Sequence, residues 1–171
     1  HQAPQSLVSA ALTAAIQEVR HARVMSRLAK RFGGSAPVPP PGPKHIRSLL
    51  EIAVENVQEG CVRETYGALV AWLQAGTASD AKVRRALRII AQEETEHSRL
   101  AFAVAEFCQN RLTPDEQHQV RRAKLHAIAE LVHSVKTETP AVLVDLAGLP
   151  TPKLAGRFVA EAQRLLWTEL T

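Results

Sequence analysis

The most constraining feature of this sequence is a pattern that occurs twice. Residues 18–23 and residues 94–99 both read Glu-x-x-His-x-Arg. The similarity continues upstream at the same offset of 76, in the pairs Leu7/Val83, Ala10/Ala86 and Ala15/Ala91. Residues three apart on an α-helix lie on one face, so a carboxylate and an imidazole at this spacing can bind one metal ion. We interpret the repeat as a duplicated helical hairpin that directs two pairs toward one point: Glu18 with His21, and Glu94 with His97.

Helical patterning continues through the rest of the chain. Of the 171 residues 46% are apolar and only 4% aromatic, and the abundant Ala and Leu favour helix. Apolar residues at steps of three and four, together with capping signals at Asp80 and at Thr113 to Glu116, indicate where helices begin. They predict helices over 5–32, 45–75, 81–111, 113–138 and 152–170, with breaks at Pro140, Gly148 and Pro150. The prediction is a single all-α domain over residues 1–171.

A Pro/Gly-rich linker interrupts this pattern at residues 33–43. Such a segment is extended and fairly stiff, at about 3.1 Å per residue. If the helices on either side of it run parallel, the linker must span roughly 40 Å, at about 1.5 Å per helical residue. We therefore expect residues 33–43 to form a crossover along the length of the bundle.

The helix predicted over 45–75 offers a third carboxylate. Counted from the turn at 76–79, Glu59 comes to nearly the same height as Glu94 in an antiparallel hairpin. Glu59 is therefore the predicted third ligand, with Glu55, one turn earlier, as the alternative. Gly60 lowers helix propensity, which indicates close approach of a neighbouring element. Glu64 is expected at the surface.

Other residues that could carry chemistry are interpreted as structural. A third Glu-x-x-His, formed by Glu130 and His133, lacks the following Arg, since position 135 is Val, and we expect it to be solvated. Tyr66 is expected in the core or at its rim, with electron transfer as the alternative. The carboxylates and imidazoles of the two repeated motifs, together with Glu59, suit iron, with manganese as the alternative metal.

These motifs resemble those of bacterial ferritin-like domain proteins of a type common in myxobacteria. The matching stretches are QEVRHAR (17–23), the Pro/Gly crossover, IAVENVQEGCVRETYGALVA (52–71), IAQEETEHSRLAFAVAEF (90–107) and DLAGLPTPKLAGRF (145–158). The resemblance implies a ferritin-like helical bundle, up-down-down-up, in residues 1–112 and a C-terminal extension of two helices in 113–171. It also implies a non-haem di-iron centre of two ions, with ligands at Glu18, His21, Glu59, Glu94 and His97.

The resemblance further implies another helix, carrying a Glu, before the first helix of this chain. The sequence begins at His1 without a signal-peptide pattern, so we expect the natural N-terminus to be missing. Three replacements are conceivable for that helix: a separate chain or cleaved segment, a symmetry mate, or the last helix offering Glu161. The compartment stays open between cytoplasmic and exported.

Three functions follow from these observations. The first is a di-metal protein, with O2- or peroxide-linked oxidoreductase activity. The second is a non-catalytic scaffold or interaction module with a degenerate or absent metal site. Nucleic-acid binding is the least favoured, because it depends only on a net charge of +4 and no aromatic residues are interleaved with the basic groups. No stretch of 18 uninterrupted apolar residues predicts a membrane span, and Cys61 and Cys108 set no disulfide framework.

Overall fold

The computed structural model describes residues 2–35 and 45–168, and all regular secondary structure within these ranges is helical. The elements are α1 (Gln5–Arg31), α2 (Leu49–Asn56), a π-helical segment (Val57–Glu64), α3 (Thr65–Thr77), α4 (Ala81–Gln109), α5 (Pro114–Ser134), α6 (Ala141–Ala147), α7 (Pro152–Ala162) and a second π-helical segment (Gln163–Trp167). The all-α prediction is confirmed for this part of the chain. The assignment to a ferritin-like bundle stays a prediction.

The long helices lie where the sequence predicted them, with ends that differ by up to four residues, but one short helix was not predicted. The helix expected over 45–75 is present as a continuous rod of α2, the first π-helical segment and α3, here called the 49–77 rod. Helix α6 lies where breaks were expected: Pro140 is its N-cap, and Gly148 ends it with a left-handed φ of 66°. Those residues mark the ends of a helix because each suits a terminus and neither suits an interior. Residues 36–43 of the predicted crossover and residues 169–170, the predicted end of the last helix, lie outside the described residues.

Side-chain caps fix where four of these helices begin, namely α2, α4, α5 and α7. The Asp80 carboxylate accepts hydrogen bonds from the backbone N–H groups of Lys82 and Val83 at the start of α4. Thr113 and Glu116 form a reciprocal capping box at the start of α5, and Ser48 forms another at the start of α2. The first two were predicted, since an oxygen at the cap satisfies backbone donors that the helix leaves free.

Helix α4 is the common neighbour of α1 and of the 49–77 rod. Contacts between Gln17 and His97 and between Arg31 and Asp80 show that α1 runs antiparallel to α4. Bonds from Asn56 to the Ala101 carbonyl and between Thr65 and Ser98 show the same for the rod. Helix α1 and the rod are therefore parallel, so the end of α1 and the start of the rod lie near opposite ends of α4, roughly 40 Å apart.

The two flanks of this assembly are covered very differently. Helices α5 and α7 pack on the rod over an apolar cluster of Val62, Ala127, Ile128, Leu131, Val159, Ala162 and Trp167. Helix α1 has His21 as its buried residue and exposes a row of large apolar side chains, here called the outer face of α1: Val8, Leu12, Ile16 and Val19. Glu161 on α7 is exposed and pairs with Arg164, so the last helix does not bring Glu161 to α1.

The π-helical segment Val57–Glu64 meets α4 at very short range. A Cβ atom built on Gly60 would lie 2.6 Å from the Cβ of Ala101, and Asn56 Nδ2 donates to the Ala101 carbonyl at 2.9 Å. Glycine is therefore required at position 60, because α4 approaches closely there, as its cost in helix propensity indicated.

Among residues 2–35 and 45–168, none of the helices combines the length and apolar character that a membrane span requires.

Candidate metal centre

The repeated pattern brings two Glu-His pairs together between α1 and α4. One possible ligand atom from each of four residues lies within 4.8 Å of the others: Glu18, His21, Glu94 and His97. Both histidines are buried, and their ring centroids are 5.7 Å apart. Four of the five residues predicted from the sequence therefore face one shared point.

The same nitrogen of each ring is directed at the carboxylates. His21 Nδ1 lies 3.2 Å from Glu18 Oε1 and 3.1 Å from Glu94 Oε1. His97 Nδ1 lies 3.1 Å from Glu18 Oε1 and 3.6 Å from Glu94 Oε2. Each imidazole thus contacts the carboxylate of its own helix and that of the opposite helix.

The outer nitrogen of each ring contacts a side chain that sequence reasoning missed. His21 Nε2 lies 2.7 Å from Glu93 Oε2, and His97 Nε2 lies 2.8 Å from Gln17 Oε1. When Nε2–H donates to such an oxygen, the tautomer is fixed and Nδ1 is left to bind a metal. The repeat held the signal for this pair, because Gln17 and Glu93 occupy equivalent positions just before Glu18 and Glu94.

The electrostatics of the group favour a cation at its centre. Hydrogen bonds to Glu18, and then to Glu94, raise the pKa of His97 to about 10. The bond to His97 is also the main cause that lowers the pKa of Glu18. Without a metal, a proton on His97 is therefore stabilised between the two carboxylates. A metal ion would take the place of that proton, since an imidazole ligand must be neutral.

The donor set fits a first-row divalent metal. Two imidazole nitrogens and two carboxylates suit iron, manganese and zinc, without the thiolates that would select softer ions. Four donors this close together could surround a single ion. Two ions about 3.5–4 Å apart would need carboxylates that bridge them and further ligands.

Glu59 does not belong to this group. Its carboxylate is 53% exposed and accepts a hydrogen bond from Arg63 at 2.5 Å. Its neighbour Gly60 lies against Ala101, one turn beyond His97, so Glu59 is not level with Glu94 as the count from the turn suggested. Its ligand role stays a prediction. The alternative, Glu55, is exposed and pairs with Arg47.

Glu64 is the carboxylate of the rod whose pKa is affected by the charges of the site. The expectation that Glu64 lies at the surface was wrong. Its side chain is half-buried and lines one groove with Glu18 and His97. Burial, followed by the charge of Glu94, raises the pKa of its carboxyl group. A count of 3.6 residues per turn missed this, because the segment that carries Glu64 is π-helical.

That groove gives the site access to solvent. It is open, has a volume of about 270 Å³, and lies between α1 and the 49–77 rod with α4 as its floor. Alanines of α1, including Ala11 and Ala15, form one wall, and acidic residues of the rod, including Glu59 and Glu64, form the other. Glu18 and His97 lie in the lining of this open groove.

The residues interpreted as structural are found where they were expected. Glu130 and His133 are exposed, and Glu130 pairs with Arg63 at 2.9 Å. Tyr66 packs at the edge of the apolar cluster beneath α5 and α7, and burial raises the pKa of its hydroxyl group. Cys61 and Cys108 are buried free thiols.

Comparison with known proteins adds no relative. No protein-family model, no curated protein and no solved structure matches this chain. The interpretation of the site therefore depends on its own geometry and on the sequence motifs.

Proposed function

We propose that this protein is a ferritin-like metal-binding protein whose two Glu-His pairs hold two ions, iron with manganese as the alternative. The observation that carries the proposal is the convergence of Glu18, His21, Glu94 and His97 within 4.8 Å. Chance pairing of surface residues does not account for it, because both imidazoles are buried and each has a polar partner on its outer nitrogen.

An oxidoreductase linked to O2 or peroxide is the activity that this donor set supports best. Glu18, His21, Glu94 and His97 would hold the ions, and two redox-active ions there would supply the electrons that reduce O2 or peroxide. In this chain, His97 would give up a proton when metal binds, and Glu18 and Glu94 would orient both rings. Glu64, or the predicted Glu59, would offer the additional carboxylate on the groove side.

The second candidate is a scaffold that has lost its metal. The outer face of α1 favours it, because Ile16 is 73% exposed and Leu12 is 62% exposed, and a row of large apolar side chains marks a surface for a partner. In both candidates we propose that a further chain, or a second copy of this one, covers this face and completes the bundle.

Metal analysis of the purified protein separates the two. We expect about two iron or manganese ions per chain after anaerobic reconstitution, and Fe(II) oxidation on adding O2. Glu94→Ala should lose the metal, whereas Glu130→Ala, which removes an exposed Glu of the third Glu-x-x-His copy, should keep it. Metal-free protein that takes up neither ion, together with unchanged behaviour of Glu94→Ala, would establish the scaffold instead.

A further inference from the structure

The two halves of the candidate site differ at the outer nitrogen of each histidine. His21 Nε2 faces the carboxylate of Glu93 at 2.7 Å, whereas His97 Nε2 faces the neutral amide oxygen of Gln17 at 2.8 Å. Because these partners occupy equivalent positions of the repeat, the difference is one of charge and not of placement. The site therefore has an anionic support on one side and a neutral one on the other.

The anionic support is held firmly in place. Arg20, on the same helix as His21, donates a hydrogen bond to the other oxygen of the Glu93 carboxylate. The Glu93 side chain is only 16% exposed, so water competes little for it. One carboxylate thus bridges Arg20 and His21, and its position relative to the ring is fixed by both contacts.

A carboxylate behind a ligating histidine strengthens that ligand more than an amide does. The imidazole N–H that donates to an anion shifts electron density toward the opposite nitrogen, which becomes the stronger donor to a metal. Removing such an outer partner typically lowers metal affinity by about 10- to 100-fold. The same nitrogen facing a neutral amide lacks the electrostatic part of this effect.

We propose that the His21 side of the site binds metal more tightly than the His97 side, and that Glu93 is the positioning residue that sets this order. The inference rests on the proposed function, since it concerns the same metal centre. If two ions bind, the ion ligated by His21 enters first and leaves last. If a single ion binds, its bond to His21 depends on Glu93 more than its bond to His97 depends on Gln17.

Anaerobic titration of the full metal-free chain with Co(II), followed by its absorption bands, tests this order. We expect the wild type to bind Co(II) in a tight and a weaker step. Glu93→Gln should weaken the tight step by about 10- to 100-fold. Gln17→Glu should strengthen the weaker step, a gain that a merely structural role of these residues would not produce.

Matched controls distinguish the contact with the histidine ring from a general change in local charge and from a loss of folding. Glu96→Gln removes an exposed carboxylate of α4 that pairs with Arg99, and Thr13→Glu adds a charge one turn away from Gln17. Neither should reproduce the effect of its counterpart. Arg20→Gln keeps the Glu93 acceptor while removing its ion pair, so it should lie between wild type and Glu93→Gln. Thermal unfolding of each metal-free variant reports whether it folds.

The outcomes of this titration distinguish the inference from the proposed function. Equal affinities for Glu93→Gln and Glu96→Gln, or a Gln17→Glu variant that binds more weakly than wild type, would overturn the inference while leaving the metal site intact. A wild type that binds no Co(II), iron or manganese overturns both. A single ion that is weakened by Glu93→Gln supports the inference and corrects the proposed number of ions.

Discussion

The two flanks of the α4 and 49–77 pair are held by different forces. On one flank, α5 and α7 bury Val62, Ile128 and Val159 in a continuous apolar cluster. On the other, α1 contributes half-buried Val24 and Leu28 at one end, but its middle is joined to α4 by the histidines and carboxylates of the candidate site. Apolar burial is worth about 25 cal/mol per Å² whatever is bound, whereas the attraction between buried charged groups is largely offset by the cost of removing them from water.

This difference indicates that the flanks have different tasks. The α5/α7 flank can supply stability without a ligand, because its contacts do not depend on charge. The α1 flank places polar groups where apolar ones would be more stable, and exposes apolar groups on its outer face. Stability there would come from the metal that we propose and from whatever covers that face.

The largest expected effect is the difference in stability between two matched substitutions, one on each flank. Ile128→Ala, at a position 7% exposed, should lower the free energy of unfolding by about 2–5 kcal/mol, because it leaves a cavity in the apolar cluster. Ile16→Ala, at 73% exposure, should change it by less than about 0.5 kcal/mol. Urea unfolding measures both. The small cost for Ile16→Ala is expected for the chain without a partner; a cost as large as that for Ile128→Ala would mean that a second copy covers the outer face of α1 in the purified protein.

Metal should stabilise the α1 flank selectively. At a free metal concentration of 100 times its Kd, the gain should be about 2.7 kcal/mol, seen as a higher Tm and as slower amide exchange in α1 but not in α5. His97→Gln should abolish the gain, and His133→Gln, in the exposed third copy, should retain it. Equal protection of α1 and α5 on metal addition would show that the flanks are not independent.

The close contact between Gly60 of the rod and Ala101 of α4 lies in the helix pair that both flanks share. Gly60→Ala should destabilise the protein by about 1–3 kcal/mol, because its Cβ would overlap Ala101 and one helix must shift. The control is Gly67→Ala, where an added Cβ meets nothing within 4 Å and helix propensity predicts a gain of up to about 1 kcal/mol. Urea unfolding of both variants should give opposite signs. If Ala101→Gly fails to relieve Gly60→Ala, the overlap is not the cause.

The smallest effect is a dependence of the metal-free protein on pH. The pKa of His97 is raised to about 10 in the folded state, against about 6.5 when unfolded. Its contribution to stability is therefore complete below about pH 6.5 and is lost as the pH rises through 10. We expect wild type to lose up to about 1 kcal/mol relative to His97→Gln between pH 7 and 10, after solvent screening. Denaturant midpoints that stay parallel for the two proteins would contradict this, and His133→Gln should follow wild type.

The sequence predicted the parts of this structure that follow from local rules. The helix starts at Asp80 and Thr113 depend on a side chain and the next few residues, and the convergence of His21 and His97 depends on a spacing that recurs. The position of Glu64 and the presence of α6 were not predicted, because each departs from these local rules. One depends on a π-helical departure from regular spacing, and the other on residues that end helices as well as break them.

The polar partners of the histidines were missed for a different reason. Gln17 and Glu93 look like ordinary surface residues, and only the antiparallel approach of α1 and α4 shows that each reaches the ring on the opposite helix. A pattern along one helix cannot reveal a contact between two. The offset of 76 residues that relates Gln17 to Glu93 is visible in the sequence, but only the structure shows that both side chains contact a histidine.

The π-helical segment Val57–Glu64 has a consequence for the rotational phase of the rod. One additional residue per turn rotates everything that follows by about 100°, the angle of a single residue in an α-helix. The part before it can thus present Ala53 to Cys108 and Leu112, while the part after it presents Ala75 to Val83 and Leu87. If the same residues formed regular α-helix between positions 57 and 64, the length of the rod would change little, but one half would be turned away from the neighbours that it contacts here.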